Sequence, residues 1–343
     1  LGPELRAKFT TTDNPNVTNM NCIDLPASVY SSSAMSQTLS MPMSGNVDTF
    51  SYASSYSSGS MPTGYADPST SWTKPNDANK WCRALSGNVV RPMGNSISTL
   101  QSQINGLAAT GATSINAGLK WGLALLDPSA RNIITSLSAQ GVVPASVVGR
   151  PFDYDDPDTL KVIVLMTDGE NFAEERLNDG YRSGLSPIYM SPNGTYSIYH
   201  ATRAGTKKYW VPSTGVWQTS AATGGGSAVQ QDWQTIWTKH NAAWVAWQMY
   251  ARANGTTDAT KRTAFDSAMN AIRTKTETTA MDTQLQQICT QAKNDDVIVY
   301  GIAFEASGNG QTQIAKCASS KAHYCNATGL EISTAFRTIA SNL

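Results

Sequence analysis

Leu160-Lys161-Val162-Ile163-Val164-Leu165-Met166-Thr167-Asp168-Gly169-Glu170-Asn171 is the stretch that decides the fold. An apolar run rich in Val and Ile reads as a strand buried on both faces, the kind found in parallel sheets. It stops at Thr-Asp-Gly. Asp168 is thereby delivered to the carboxyl end of a strand, and Gly169 lets the chain turn there. Open α/β sheets bind their ligands along that edge. A carboxylate in that place suits a hard cation such as Mg2+ or Ca2+, which takes oxygen ligands. The same carboxylate could instead cap the following segment.

Upstream, Ile115, Leu119, Leu123 and Leu126 keep helical spacing. Thr113 and Ser114 stand at the start of this helix, where hydroxyls cap free amides. A Thr in that position, shortly before a strand ending in TDG, resembles a von Willebrand factor A domain. In that family a Thr loop and a strand-end Asp contribute to a metal-ion-dependent adhesion site. The resemblance implies that Thr113 and Asp168 bind the metal, directly or through water. It also implies that Glu170 and Asn171 shape the rim.

Trp81-Cys82, Gly111-Ala112-Thr113-Ser114-Ile115-Asn116-Ala117-Gly118-Leu119-Lys120-Trp121-Gly122 and Leu165-Met166-Thr167-Asp168-Gly169-Glu170-Asn171 narrow the resemblance to TadG-like proteins of tight-adherence pilus systems. Cys289-Thr290-Gln291-Ala292-Lys293, Lys316-Cys317-Ala318-Ser319-Ser320 and Ala335-Phe336-Arg337-Thr338-Ile339-Ala340 agree. The resemblance runs from about residue 80 to the C-terminus. It implies a non-enzymatic protein at the bacterial surface, bound to pilus or other surface subunits. An alternative is a periplasmic anchor of a pilus machine with a vestigial metal site. A third reading, an A-domain subunit of an intracellular ATP-driven chelatase, fits the cysteines and composition poorly.

The family's third metal element is an Asp-x-Ser-x-Ser at the end of the first strand. Asp67-Pro68-Ser69-Thr70-Ser71 fits the letters, and Tyr56-Ser57-Ser58-Gly59-Ser60-Met61 resembles its ending. Neither follows an apolar strand, and Pro62, Pro68 and Pro75 prevent the helix that must come next. Only three parallel strands can be placed, at 160–167, 296–304 and 323–327, against about six in a doubly wound A domain. The expectation is therefore the C-terminal part of a larger A-domain polypeptide. An N-terminal fragment or second chain would complete the sheet beside strand 160–167 and supply the missing ligands. The opening Leu1-Gly2-Pro3, without Met, is compatible with this.

The expected organisation is a polar, extended segment over 1–95, A-domain portions over 96–171 and 281–343, and an aromatic-rich, largely helical insertion over 172–280. Residues 97–108 have helical spacing through Ile97, Leu100, Ile104 and Leu107. Residues 228–253 read as one helix with Trp233, Trp237, Trp244 and Trp247 on one face. Such a stripe can bind sugar or a partner, and more often forms core between packed helices. Helices are also expected at 257–275, 281–293 and 330–343.

The formal net charge is zero with 15% charged residues, so there is no electrostatic footprint for nucleic acid. No transmembrane run or signal peptide is visible. His200, His240 and His323 are isolated, and no hydrolase, zinc or phosphate-loop motif occurs. Asp153-Tyr154-Asp155-Asp156-Pro157-Asp158 reads as a solvated turn, with calcium binding as the rival reading. Five cysteines without C-x-x-C pairs suit disulfides in an extracellular setting. A Cys22–Cys82 bridge would close a long loop and contribute ~4 kcal/mol. Cys289–Cys317 is plausible between neighbouring helices, with Cys317–Cys325 its competitor.

Overall fold

The computed structural model describes residues 25–34, 87–109, 112–182, 184–222, 226–240 and 242–343. Cys22, Cys82, the Asp67–Ser71 stretch and the Tyr56–Met61 stretch lie outside the described residues, and so does the expected bridge between the two cysteines.

Among the described residues three α-helices precede the first strand. Helix α1 (Ile97–Asn105) starts at Ser96, whose Oγ accepts the Thr99 amide at 3.3 Å. The helical spacing there is real, but Ile97, Leu100, Ile104 and Leu107 are all exposed. Helix α2 (Ile115–Leu126) buries Ile115, Leu119 and Leu123, the positions its period puts on one face. Helix α3 (Arg131–Ala139) buries Ile134 and Leu137 in a small cluster with Val143 and Val147. The acidic stretch then forms a turn: Asp153 pairs with Arg131 at 2.7 Å, and Asp156 Oδ1 accepts the Asp158 amide.

Strand β1 (Val162–Thr167) follows, and after it comes an insertion with its own core. The insertion is entered by β2 (Glu174–Leu177). It continues through β3 (Leu185–Met190), β4 (Tyr196–Tyr199), β5 (Tyr209–Val211), β6 (Val216–Gln218) and β7 (Val229–Asp232). Helix α4 (Trp233–Lys239), α5 (Ala242–Val245), a π-helical turn (Ala246–Ala251) and α6 (Asp258–Ile272) come next, before β8 (Arg273–Thr276). β8 pairs antiparallel with β2, so the insertion leaves beside where it entered. At this neck Arg273 meets Glu175 at 3.1 Å, with the side chains 12% and 3% exposed.

The expectation of a largely helical insertion is corrected here. Strands β3 to β7 form an antiparallel sheet in the order β6-β5-β4-β3-β7. The single helix expected over 228–253 is also corrected: it begins as β7, and His240 after α4 has extended backbone. Trp233, Trp237, Trp244 and Trp247 are all buried, which makes the stripe core. Trp237 Nε1 donates to the Tyr181 carbonyl at 2.6 Å, so its one polar atom is satisfied.

The remainder is α7 (Thr278–Asn294), β9 (Ile298–Phe304), α8 (Gly308–Cys317), β10 (Tyr324–Ala327) and α9 (Glu331–Ser341). The three strands expected to be parallel are parallel, in the order β1-β9-β10. Ile163, Leu165 and Val299 face α2, α7 and α8 in the larger core of this unit. On the other face, Tyr300 and Ile302 meet Ala335 and Ile339 of α9. Cys289 and Cys317 form a disulfide between α7 and α8, and Cys325 is free.

Strand β1 departs from the sequence reading. Its second face is covered only at the start: Val162 packs against the cluster of Tyr300, Ile302 and Ala335, while Val164 is 40% and Met166 is 49% exposed. The cluster beneath α9 covers β9 and β10 and leaves Val164 and Met166 outside, and among the described residues β9 is the only strand paired with β1. The apolar run is therefore an edge strand within the described residues.

The short 3-10 turn Ala27–Ser31 and the residues just before it dock on this unit through Leu25, Val29 and Tyr30. Lys120, on α2 and fully buried, fixes its end. Its Nζ donates to the carbonyls of Ser32 (2.5 Å), Ser33 (3.0 Å) and Ala34 (2.9 Å). Burial pulls the Lys120 pKa down to about 8, against the opposing pull of the Asp127 carboxylate. Ser33 also donates to Asp295.

Candidate functional site at the carboxyl edge

The carboxyl end of β1 is where three segments converge, and two glycines permit it. Thr167 Oγ1 accepts the Gly169 amide at 3.2 Å and tightens the turn. A side chain at Gly169 would stand 3.3 Å from Thr113 Oγ1, so the Thr113 hydroxyl lies against the residue that follows Asp168. The Thr113 carbonyl accepts the Phe172 amide at 2.9 Å, which ties the two loops together. From the other side, a side chain at Gly310 would meet the Gly169 carbonyl oxygen at 2.1 Å. Only glycine allows α8 to start so close to the turn.

Asp168 is exposed, and Thr113 is half-buried beside the turn. Glu170 is exposed and accepts a hydrogen bond from Ser307, the residue that caps α8, at 3.1 Å.

Asn171 is a correction to its expected place on the rim. It is 2% exposed. Its Oδ1 accepts the Ile115 amide at 2.8 Å, and its Nδ2 donates to Asp282 Oδ1 at 2.8 Å. It caps α2 from 56 residues away. The caps expected from the local hydroxyls are absent: Ser114 makes no side-chain cap, and its Oγ donates to Asn116 Oδ1 instead.

Asp282, near the start of α7, escaped the sequence reading. It gathers Asn171, Asn309 (3.0 Å) and Gln313 (3.3 Å), linking the β1 turn to α7 and α8. Asn116, fully buried, donates to Gln284 at 2.9 Å. No local motif marks Asp282. Its partners come from the β1 turn and from α8, both far from it in sequence, so only the packing of α7 beside the turn reveals it.

A hard cation takes six or more oxygen ligands, some of them water. Thr113 and Asp168 offer a hydroxyl and a carboxylate of the right chemistry. Glu170, Asn171 and Asp282 already take part in hydrogen bonds within the chain. Among the described residues no group of three or more His, Cys, Asp and Glu side chains is placed to hold a metal ion. The donor set fits a cation in kind and falls short in number.

Compared with known protein families, curated proteins and solved structures, the chain matches none.

Proposed function

We propose that this chain is a non-enzymatic binding module of the von Willebrand A type, acting at a cell surface in association with pilus or other surface subunits. Its ligand edge is the carboxyl end of β1. Thr113 and Asp168 would hold a Mg2+ or Ca2+ ion there, and the ion would supply an open position for an acidic group on the partner. The observation that carries this reading is the Thr113 hydroxyl packed against the turn that presents Asp168 to solvent. The side of β1 left unpaired among the described residues and the exposed Val164 and Met166 support a second part of the proposal. A further strand contributed by another polypeptide would pair there and bring the missing ligands. Among the described residues no helix is long and apolar enough to cross a membrane.

One observation favours the alternative of an envelope anchor with a vestigial site. Glu170, Asn171 and Asp282 serve to knit the edge together. Thermal unfolding of the intact chain with MgCl2 or CaCl2 separates the two readings. The adhesion reading expects the cation to raise Tm in the native protein but not in Asp168→Ala or Thr113→Ala. An unchanged native Tm, or the same rise in Asp168→Ala, would leave the anchor reading in possession.

A further inference from the structure

The sheet of the insertion has two unlike faces. Successive residues of a strand point to opposite sides. Ile188, Ile198 and Trp210 turn inward to the core of buried tryptophans. The alternating positions carry Tyr189 on β3, Tyr199 on β4 and Tyr209 on β5. These three are half-buried, and none packs against that core, unlike Tyr181, Tyr196 and Tyr250.

Register gathers them into one platform. Tyr199 stands opposite Tyr209, which stands opposite Gln218 of β6. Two residues along, Tyr189 stands opposite Ser197 on one side and Gln230 of β7 on the other. The Tyr209 ring lies 5.0 Å from that of Tyr199 and 5.6 Å from that of Tyr189, centroid to centroid. The Gln230 amide is held by the Ser186 carbonyl at 2.8 Å. The chain beyond β6 returns over Ser197, whose Oγ accepts the Ala222 amide at 3.2 Å, and gives the platform a wall.

The composition of these six positions selects the occupant. They offer three phenol rings and two amides, with the Ser197 hydroxyl buried beneath Ala222, and no carboxylate, ammonium or guanidinium stands among the six. Nucleic acid or an anionic lipid surface would call for cations on this face. A protein partner would call for an apolar centre, whereas the aliphatic residues that alternation puts on this face, Val211 and Val216, pair with each other beyond Tyr209, and Val211 is buried. Tyrosine offers an apolar ring face with a hydroxyl at its tip, and a primary amide both donates and accepts. That set complements a ring with an apolar C–H face and hydroxyls around its edge.

We propose that the tyrosine face of the β6-β5-β4-β3-β7 sheet binds a neutral oligosaccharide. Its pyranose rings lie on Tyr189, Tyr199 and Tyr209, and its hydroxyls bond to Gln218 and Gln230. The site belongs to the insertion and uses no group of the cation edge.

The test is calorimetric titration of the intact chain with cellohexaose, N-acetylchitohexaose and mannohexaose, with heparin as an anionic control. Binding of at least one neutral hexasaccharide is expected. Tyr209→Ala should weaken it about tenfold or more, a loss of ~1.4 kcal/mol, and Tyr189→Ala should do the same. Tyr209→Phe should retain most of it. EDTA and Asp168→Ala should leave it unchanged, so failure of the cation reading and failure of this one are distinguishable. No binding of any neutral probe at millimolar concentration would overturn the proposal. So would binding of heparin alone, or neutral binding indifferent to both alanine variants while their circular dichroism stays native.

Discussion

Replacing Lys120 by Met keeps most of the side-chain length and removes the ammonium. Three carbonyls, those of Ser32, Ser33 and Ala34, then lose their donor. Hydrogen bonds to a charged group contribute ~1.5–3 kcal/mol each, so the gross loss is ~5–9 kcal/mol. The cost of keeping the ammonium away from water offsets part of this. A pKa drawn from the ordinary 10.5 to about 8 corresponds to ~3 kcal/mol at ~1.4 kcal/mol per unit. The net expectation for Lys120→Met at pH 7 is a destabilisation of ~2–6 kcal/mol. Urea unfolding with hydrogen exchange on residues 25–34 reads it, because that segment should lose protection before the rest of the unit. The pH dependence has a definite sign. Between about pH 8 and 10.5 the unfolded chain keeps the lysine proton while the folded chain releases it. Folded stability therefore rises with pH through that window, and the gap between native protein and Lys120→Met should widen. Tyrosine ionisation occurs in both proteins and cancels in the difference. A variant as stable as the native protein, with 25–34 still protected, would refute the idea that Lys120 pins the segment.

Three other outcomes follow from the packing. Gly310→Ala places a carbon 2.1 Å from the Gly169 carbonyl oxygen, and backbone must move; a loss of ~1–3 kcal/mol is expected by urea unfolding, with none at Gly308→Ala, which has open space. Arg273→Met removes one buried, charged contact of Glu175 at the neck of the insertion and should cost ~1.5–3 kcal/mol, measured as a shift in the unfolding midpoint. Replacing both Cys289 and Cys317 by Ser opens a loop 28 residues apart in sequence, a loss of about 3.5 kcal/mol on the chain-entropy account, read as the same shift on reducing the native protein.

The parallel unit was legible because its signals are long and local. The run at 160–167, the helix from Ile115 and the alternation of 281–343 between helix and strand each span enough residues to show a period. The sheet of the insertion was not, because its strands are three to six residues long and interrupted by turn residues. Pro187 stands inside β3, and Ser186 and Ser197 are buried where an apolar residue would have announced a strand. The burial of β1 was misjudged for a different reason. Val164 and Met166 are apolar whether or not anything covers them, and cover is a property of the neighbours. At the candidate site Asp168 was visible as the end of a strand. The role of Asn171 was not, since its partners Ile115 and Asp282 are far from it in sequence.

The account rests most heavily on the carboxyl edge of β1. The direct measurement is anomalous scattering from crystals of the intact protein grown with Mn2+, which can stand in for Mg2+ at an oxygen site. The account predicts a peak within coordination distance, ~2–2.6 Å, of an Asp168 carboxylate oxygen and either that close to Thr113 Oγ1 or bridged to it by water. A crystal with manganese in the solvent and no peak at this edge, or a peak held by other residues alone, would contradict it.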